Sequence, residues 1–187
     1  MGRWEPGARE RLARAALELY VEQGFEQTTV AEIAHRAGLT ERTFFRYFAD
    51  KREVLFSGQA ELLDACVNGI VCAPEAAAPI DAVIAALQAA SARFEERREL
   101  SRQRQTVITA NTGLQERELL KLASLASATA DALRRRGITE PTASLAAEAG
   151  VAVFKVAFER WLGASGGRTL SDLIRDSLDH LKSATAG

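Results

Sequence analysis

Two short amphipathic stretches separated by a single glycine constrain the fold of this chain more than any other feature. In the run VAEIAHRAGLTERTFFRYFA, apolar side chains recur at the helical spacing i, i+3, i+4 and i+7, namely at Val30, Ile33, Ala34 and Ala37. Gly38 follows, and glycine readily takes the left-handed conformation that ends a helix. Thr40 can then cap a second helix. The segment therefore predicts two helices joined by a tight turn, a helix-turn-helix.

The second predicted helix, which begins after Thr40, has two contrasting faces. Phe44 and Phe48 lie four residues apart and share the face that must point into the core. The opposite face carries side chains that can bind nucleic acid, namely Arg42, Thr43, Phe45 and Arg46. Arginine pairs with phosphate or reads guanine, threonine reaches phosphate or base, and an exposed phenylalanine can contact the thymine methyl group.

Further candidate DNA contacts flank this helix. Tyr47 lies at its edge, and Lys51 opens the next predicted helix, where an ammonium group and N-terminal amides can both face phosphate. Thr28, Thr29 and Thr40 stand at the starts of the two short helices. The alternative is an ordinary solvated face, but two arginines four residues apart repel each other mildly without an anion between them. We therefore predict a DNA-binding face.

The overall charge shows that this surface has to be local. The 187 residues carry 24 Lys and Arg against 25 Asp and Glu, a net charge of −1, so the chain is not a polycation. Residues 40–52, by contrast, hold four cations against two acids. Hydrophobic residues make up 47% of the sequence, which is enough to bury a sizeable core.

The run TTVAEIAHRAGLTERTFFRYFADKREVLF resembles the DNA-binding signature of the tetracycline-repressor (TetR) family, over about residues 9–56. The resemblance combines the helix caps, the glycine turn, the aromatic motif and the lysine after Asp50. It implies a one-component transcriptional regulator, usually a repressor. Such a regulator binds a palindromic operator as a dimer and releases it when a small molecule occupies the second domain.

The resemblance also implies roles for individual residues. Thr28 and Thr29 would contact the DNA backbone. The residues that would enter the major groove are Arg42, Thr43, Phe45 and Arg46. Phosphates would be held by Tyr47 and Lys51. Phe45 departs from the family pattern, in which many members have Tyr, so an apolar contact is favoured there over a phosphate hydrogen bond.

Almost every segment has helical periodicity, and strand-like alternation is absent. We predict an all-α fold of about nine helices, at residues 6–23, 29–37, 40–47, 51–72, 79–95, 97–111, 115–136, 141–163 and 169–183. Capping boxes are predicted at Thr29, Asp50 and Thr169. The resemblance implies that residues 1–52 form the helix-turn-helix DNA-binding domain and residues 53–187 a ligand-binding and dimerisation domain. It also implies that the fourth helix, which joins the two domains, is the lever between them.

The resemblance implies that the last two helices pack against their copies in a homodimer. The candidate interface residues are Val151, Phe158, Trp161, Leu162, Leu170, Ile174 and Leu178. A symmetric dimer is the commonest oligomer, and it would set two recognition helices about one DNA turn apart. The alternative is that these apolar residues fill the core of the protomer itself.

The resemblance places an effector pocket among the fourth to eighth helices. Candidate lining residues are Leu63, Cys66, Leu87, Phe94, Gln103, Thr106, Val107, Asn111, Leu122 and Phe154. A cavity needs a few polar groups among apolar walls, and Gln103, Thr106 and Asn111 can supply them. The alternative for each residue is plain helix packing. The C-terminal portion more faintly resembles regulators that sense acyl-CoA-type ligands, so we expect a small, largely apolar effector.

Other chemistry finds no support in the sequence. His35 and His180 are isolated, and Cys66 and Cys72 lie too far apart for a CxxC metal site, so we expect neither metal nor cofactor. Catalytic and nucleotide-binding motifs are absent, which argues against an enzyme. We expect no signal peptide and no membrane span, and therefore a cytoplasmic protein.

Two alternatives to a ligand-responsive repressor remain open. One is a helical small-molecule-binding or enzymatic protein whose DNA-binding unit is vestigial. The other is an activator or architectural DNA-binding protein that responds to no effector.

Overall fold

The computed structural model describes residues 7–164 and 166–186, and every regular element within these ranges is helical. The elements are α1 (Ala8–Gln23), α2 (Val30–Arg36), α3 (Glu41–Tyr47), a 3-10 turn (Glu53–Phe56), α4 (Gln59–Val71), α5 (Pro79–Glu95), α6 (Arg98–Thr109), α7 (Thr112–Arg135), α8 (Thr142–Gly163) and α9 (Leu170–Thr185). The predicted all-α fold is confirmed.

The chain forms two compact units that interleave along the sequence. The first unit runs to Gly58 and includes Arg102–Glu118, whereas the second comprises Gln59–Ser101 and the chain from Leu119 onward. The predicted domain boundary after residue 52 stays a prediction. In this structure the first unit ends after Gly58 and gains the corner between α6 and α7.

The core of the first unit is built around α1. Its fully buried side chains include Leu12, Ile33 and Phe44, and each contributes about 1.5–3 kcal/mol relative to an exposed position. The same cluster takes in the 3-10 turn through Val54, Leu55 and Phe56, and the α6–α7 corner through Val107, Ile108 and Leu114. The helix-turn-helix therefore shares one core with residues that lie far from it in sequence.

The predicted fourth helix, 51–72, is wrong in one respect, because it is divided in two. A 3-10 turn covers Glu53–Phe56, and α4 begins only at Gln59. Arg9 donates a hydrogen bond to the carbonyl oxygen of Ser57 over 2.6 Å, so this carbonyl has a side-chain partner at the break. Periodicity alone could not reveal the break, because apolar residues continue on both sides of it.

The stretch Glu53–Val71 is long and apolar enough to cross a membrane by length and composition alone, contrary to the expectation from the sequence. Its most apolar side chains lie in protein cores instead. Val54, Leu55 and Phe56 are buried in the first unit, and Cys66 and Ile70 are buried in the second. We therefore assign the first part of this stretch to the core of the first unit and its later part to the core of the second unit.

The second unit packs around α5, which contacts α4, α8 and α9. Gly150 permits the close approach of α8 to α5, because a Cβ atom there would lie 2.4 Å from Cγ1 of Val83. At the start of α9, Thr169 and Asp172 form the capping box that the sequence predicted.

Candidate functional site

The turn between α2 and α3 is fixed by α1. Gly38 has φ = 67°, in the left-handed region that favours glycine. Arg11 of α1 reaches across and donates hydrogen bonds to the carbonyl oxygen of Ala37, from Nε over 3.1 Å and from Nη2 over 2.5 Å. A Cβ atom on Gly38 would lie 3.0 Å from the same guanidinium group. The turn thus requires glycine for both conformation and space.

The N-terminus of α2 is closed by the predicted capping box. The hydroxyl oxygen of Thr29 accepts from the amide of Glu32. The Glu32 carboxylate in turn accepts from the amide and from the hydroxyl of Thr29, over 2.8 Å in both cases. The hydrogen bonds from Thr29 lower the pKa of Glu32. Thr29 is exposed, so its hydroxyl stands at the surface beside the helix terminus.

Helix α3 presents the two faces that its sequence predicted. Phe44 is fully buried and Phe48 is nearly so, and their ring centroids lie 5.5 Å apart. On the opposite side Arg42 and Arg46 are exposed, and Phe45 keeps 56% of its surface in solvent. An exposed phenylalanine between two arginines has no packing role within the unit beyond an edge contact to Phe44.

The polar residues of α3 are arranged by local contacts. Thr40 caps the helix by accepting from the amide of Thr43 over 3.2 Å, and the two hydroxyl groups lie 3.1 Å apart. Arg46 donates to the hydroxyl of Tyr47 over 3.2 Å and stacks on the Tyr47 ring, with the guanidinium carbon 4.9 Å from the ring centroid. These contacts hold two candidate DNA-binding groups together at the edge of the face.

Thr28 and Lys51 have structural roles that the sequence did not suggest. Thr28 is 1% exposed, and its hydroxyl donates to the carbonyl oxygen of Gly24 over 2.8 Å. The ammonium group of Lys51 donates to the carbonyl oxygens of Phe25, Glu26 and Thr28 over 2.9–3.1 Å. A buried hydroxyl cannot reach DNA, and an ammonium group has only three donors. We therefore remove both side chains from the set of candidate DNA contacts.

The other end of Lys51 is fixed as well. Its carbonyl oxygen accepts a hydrogen bond from the hydroxyl of Tyr20 over 2.6 Å, and burial raises the pKa of that hydroxyl. Lys51 thus links the residues that follow α3 to α1 and to the loop before α2.

The α6–α7 corner contacts the 3-10 turn through one hydrogen bond and one ion pair. Arg104 donates to the carbonyl oxygen of Leu55 over 2.6 Å and pairs with Glu118 over 3.1 Å. Burial lowers the pKa of Arg104, and the charge of Glu118 opposes that effect. Arg117 of α7 donates from Nε to the carboxylate of Glu53 over 2.6 Å. No spacing in the sequence signals these pairs, because their partners lie far apart along the chain.

The candidate pocket residues divide between the two units. Val107 is buried in the core of the first unit, and Gln103, Thr106 and Asn111 lie in the same unit. Cys66 and Leu87 are buried in the core of the second unit, where burial raises the pKa of the Cys66 thiol to about 12. The second-unit core also includes or contacts Phe94, Leu122 and Phe154. That these ten residues line one effector pocket stays a prediction.

Leu63 is the pocket candidate that lines a groove. The groove lies between α4 and α7 in the second unit and has a volume of about 640 Å³. Its walls are formed by Leu63, Asp64, Val67, Ala128, Asp131, Arg134 and Arg135. Arg134 is already paired with Asp131 and Glu140.

The predicted interface residues mostly serve the core of the protomer, which is the alternative that the sequence left open. The buried ones are Val151, Trp161, Leu170, Ile174 and Leu178, and the half-buried ones that pack against the same core are Phe158 and Leu162. Helix α8 is apolar around most of its circumference, so periodicity could not distinguish its inner face from its outer face.

A different apolar face of α8 is exposed. Leu145 and Val156 are 65% and 49% exposed, and Ala149 and Ala152 lie between them at helical spacing on the same stripe. Beside the stripe, α8 and α9 form a groove of about 490 Å³. Its lining is Ala152, Val153, Val156, Arg160, Ser177, His180, Leu181 and Ala184.

A metal centre is not apparent in the part of the chain that the structure describes, where no group of three or more His, Cys, Asp or Glu side chains is placed to hold an ion.

Two known domain families match the chain. Residues 12–65 match the family of bacterial regulatory proteins of the tetR type, and residues 77–186 match the MftR C-terminal domain. The second match alone covers more than half of the 187 residues.

Individual proteins show the same similarity. The chain is 36% identical to the HTH-type transcriptional regulator TcmR of Streptomyces glaucescens over 88 residues, which are 47% of this chain but only 39% of TcmR. Among solved structures, it resembles the FadR repressor of Thermus thermophilus in complex with lauroyl-CoA, at 22% identity and a TM-score of 0.60 over 96% of this chain and 95% of FadR. It also resembles FadR of Bacillus halodurans, at 18% identity and a TM-score of 0.66 over 98% and 99% of the two chains. The chain belongs to the TetR family of transcriptional regulators.

Proposed function

We propose that the protein is a ligand-responsive repressor that binds a palindromic operator as a homodimer in the cytoplasm. A small, largely apolar effector would bind the second unit and release the DNA. The observation that carries this proposal is the division of α3 into a buried face, with Phe44 and Phe48, and an exposed face that holds Arg42, Phe45 and Arg46.

The exposed face supplies each kind of contact that operator recognition needs. Arg42 and Arg46 can pair with phosphate or with guanine, and Phe45 can contact a thymine methyl group. Thr29, Thr40, Thr43 and Tyr47 lie around this face, where hydroxyl groups can bind phosphate.

A second copy of the chain is the proposed occupant of the exposed apolar stripe on α8. A stripe that contains Leu145 and Val156 at 65% and 49% exposure is costly in water, and pairing with its own copy would bury it. A two-fold axis beside α8 and α9 would relate two recognition helices. The operator would then carry two half-sites about 34–36 Å apart.

The second unit is the proposed effector-binding unit. The FadR repressor of Thermus thermophilus has been solved in complex with lauroyl-CoA, which supports an apolar, acyl-bearing effector for this chain. The groove beside Leu63 and Val67, of about 640 Å³, is within the size range of small-molecule sites.

Two helices offer a route for coupling between effector and DNA. Helix α6 begins in the second unit and ends in the first, and α7 begins in the first and ends in the second. The effector would bind better to a conformation in which the recognition helices no longer match two adjacent grooves. Arg104 and Arg117 would pass the change to the 3-10 turn that follows α3.

The experiment is selection of operator fragments from a randomised DNA library by the purified protein, followed by titration at several salt concentrations. The proposal predicts enrichment of a palindrome and a logarithmic salt slope of about −0.9 for each phosphate contact. Absence of sequence preference, or affinity that does not fall with salt, would contradict it.

A further inference from the structure

Two buried N–H donors without acceptors belong to neighbouring side chains of the second unit. Within the described residues, neither Nε1 of Trp161 nor Nε of Arg98 has a hydrogen-bond partner, and both atoms are sealed from solvent. The guanidinium carbon of Arg98 lies 5.2 Å from the centroid of the Trp161 ring. Buried donors are almost always paired in folded proteins, so two unpaired donors at one place call for an explanation.

The rest of the Arg98 guanidinium group is committed to the end of α8. Its Nη2 atom donates to the carbonyl oxygens of Trp161 and Ala164, the latter over 2.6 Å. These bonds satisfy carbonyls that the last turn of the helix leaves free. They also fix the guanidinium group against the indole ring, so the position of the unpaired Nε is set by the fold.

The surroundings of the two donors are aromatic. Phe158 lies 5.6 Å from Trp161 between ring centroids, and Phe94 lies 5.6 Å from Phe158. Trp161 is fully buried, whereas Phe94 and Phe158 are half-buried, so the cluster extends from the core to the surface. A ligand that binds Trp161 would have to enter beside these two half-buried rings.

We propose that Trp161 and Arg98 together bind the acceptor oxygen of an apolar ligand, as a carboxylate or a carbonyl group. The proposal rests on the effector-binding role of the second unit, and it assigns the polar contact to these two donors and not to the groove between α4 and α7. Both donors lack an acceptor, so the matching group must accept without donating. A carboxylate would accept from both donors and neutralise the guanidinium charge, while the aromatic rings would enclose an apolar body.

The first test observes the indole N–H directly. The chain has two tryptophans, so Trp4→Phe leaves Trp161 as the single source of an indole signal. We would titrate this variant, as the full-length chain, with octanoate, octanamide and octyltrimethylammonium, and follow the indole N–H resonance by NMR. We expect a downfield shift with octanoate or octanamide and none with the ammonium compound, which has no acceptor. Octanoate alone would identify a carboxylate site, and octanamide alone a carbonyl site.

The second test measures affinity by calorimetry. Trp161→Phe keeps an aromatic ring but removes the donor, and Arg98→Gln removes the guanidinium group. We expect each change to weaken the binding of the active probe by about tenfold or more, as for other hydrogen bonds to charged groups. The matched controls Trp4→Phe and Arg97→Gln, the latter at an exposed neighbouring arginine, should leave affinity unchanged.

Two results would overturn the proposal. One is that neither octanoate nor octanamide binds, and the other is that binding leaves the indole resonance in place. A measurement of operator affinity in the presence of the probe separates this proposal from the effector role of the second unit. A probe that shifts the indole resonance without weakening operator binding would contradict the effector role and support the contact itself.

Discussion

The guanidinium group of Arg104 in α6 donates a hydrogen bond to the carbonyl oxygen of Leu55 over 2.6 Å, across 49 residues of sequence. The same group lies 5.0 Å from the centroid of the Phe56 ring and pairs with Glu118 of α7. One side chain thus joins the 3-10 turn that follows α3 to α6 and α7, which both have residues in the second unit as well.

Replacement of Arg104 with Met should destabilise the first unit. The change removes a charge-assisted hydrogen bond and the ion pair to Glu118, and it leaves the Leu55 carbonyl without its side-chain donor. We expect a loss of about 2 kcal/mol in the free energy of unfolding, measured by urea titration. Arg97→Met, at an exposed arginine, is the control; equal stability of the two variants would contradict the role of Arg104.

Replacement of Gly38 with Ala should strain the helix-turn-helix. Gly38 has a φ of 67°, and the new Cβ would meet the Arg11 side chain at 3.0 Å. We expect a loss of about 1–2 kcal/mol in urea unfolding, since an L-residue pays this cost in the left-handed region. Gly58→Ala is the matched control, because nothing lies within 4 Å of its Cβ position and its φ is not in that region. A loss of stability as large for Gly58→Ala would show that the turn at Gly38 has no particular requirement for glycine.

Asp50 should make stability depend on pH. Burial opposes its ionisation, but hydrogen bonds from the amides of Glu53 and Arg52, with the charge of Arg52, prevail and lower its pKa below the ordinary 3.8. A lowered folded-state pKa gives stability that is present above pH 3.8 and is lost as the pH falls through the folded value.

Asp50→Ala should therefore cost about 1 kcal/mol in the free energy of unfolding at pH 7, because it removes the acceptor of two backbone amides. The difference from the original protein should shrink when urea titrations are repeated at pH 3. Asp179→Ala, at an exposed carboxylate, should change little at either pH. A cost for Asp50→Ala that stays constant with pH would refute the role of the ionised carboxylate.

Local features of the fold could be predicted from the sequence. Thr29, Thr40 and Thr169 cap the helices that their patterns indicated, and the two faces of α3 follow from helical period alone. These features depend on residues three or four apart, so they are visible in the sequence. The break before α4 could not be predicted from periodicity, because apolar residues continue on both sides of it. The side chain that bonds the Ser57 carbonyl there comes from Arg9, 48 residues away.

Sites that depend on long-range packing could not be predicted. Lys51 looks like a surface group in sequence, yet its ammonium group bonds carbonyl oxygens 23 to 26 residues away, one of which is that of Thr28. Thr28 looks like a surface group too, but it is buried in the folded unit. The buried face of α8 could not be identified from the sequence either, because Trp161 on one face and Val156 on another are both apolar. Packing against α5 and α9 decides which of them is buried.

A charge on the exposed stripe of α8 should prevent the proposed dimer. Val156→Glu would place an unpaired carboxylate in an apolar interface, which costs several kcal/mol and should weaken dimerisation at least about 100-fold. We expect light scattering to give the mass of one chain instead of two. Val21→Glu is the matched control, since Val21 is 53% exposed and lies in the other unit. A dimer that survives Val156→Glu would place the interface elsewhere.

The most direct test of the account is the affinity of the Arg46→Ala variant for the selected operator, measured by fluorescence anisotropy. Arg46 is exposed on α3, and among the described residues its hydrogen bond and ring contact are to the neighbouring Tyr47, so its loss should leave the fold and the proposed dimer intact. The account predicts an affinity at least about tenfold lower, since one arginine–guanine pair contributes about 1–3 kcal/mol. Arg175→Ala, at an exposed arginine of α9, should bind normally. Normal operator affinity of the Arg46 variant would contradict the assignment of α3 as the recognition helix.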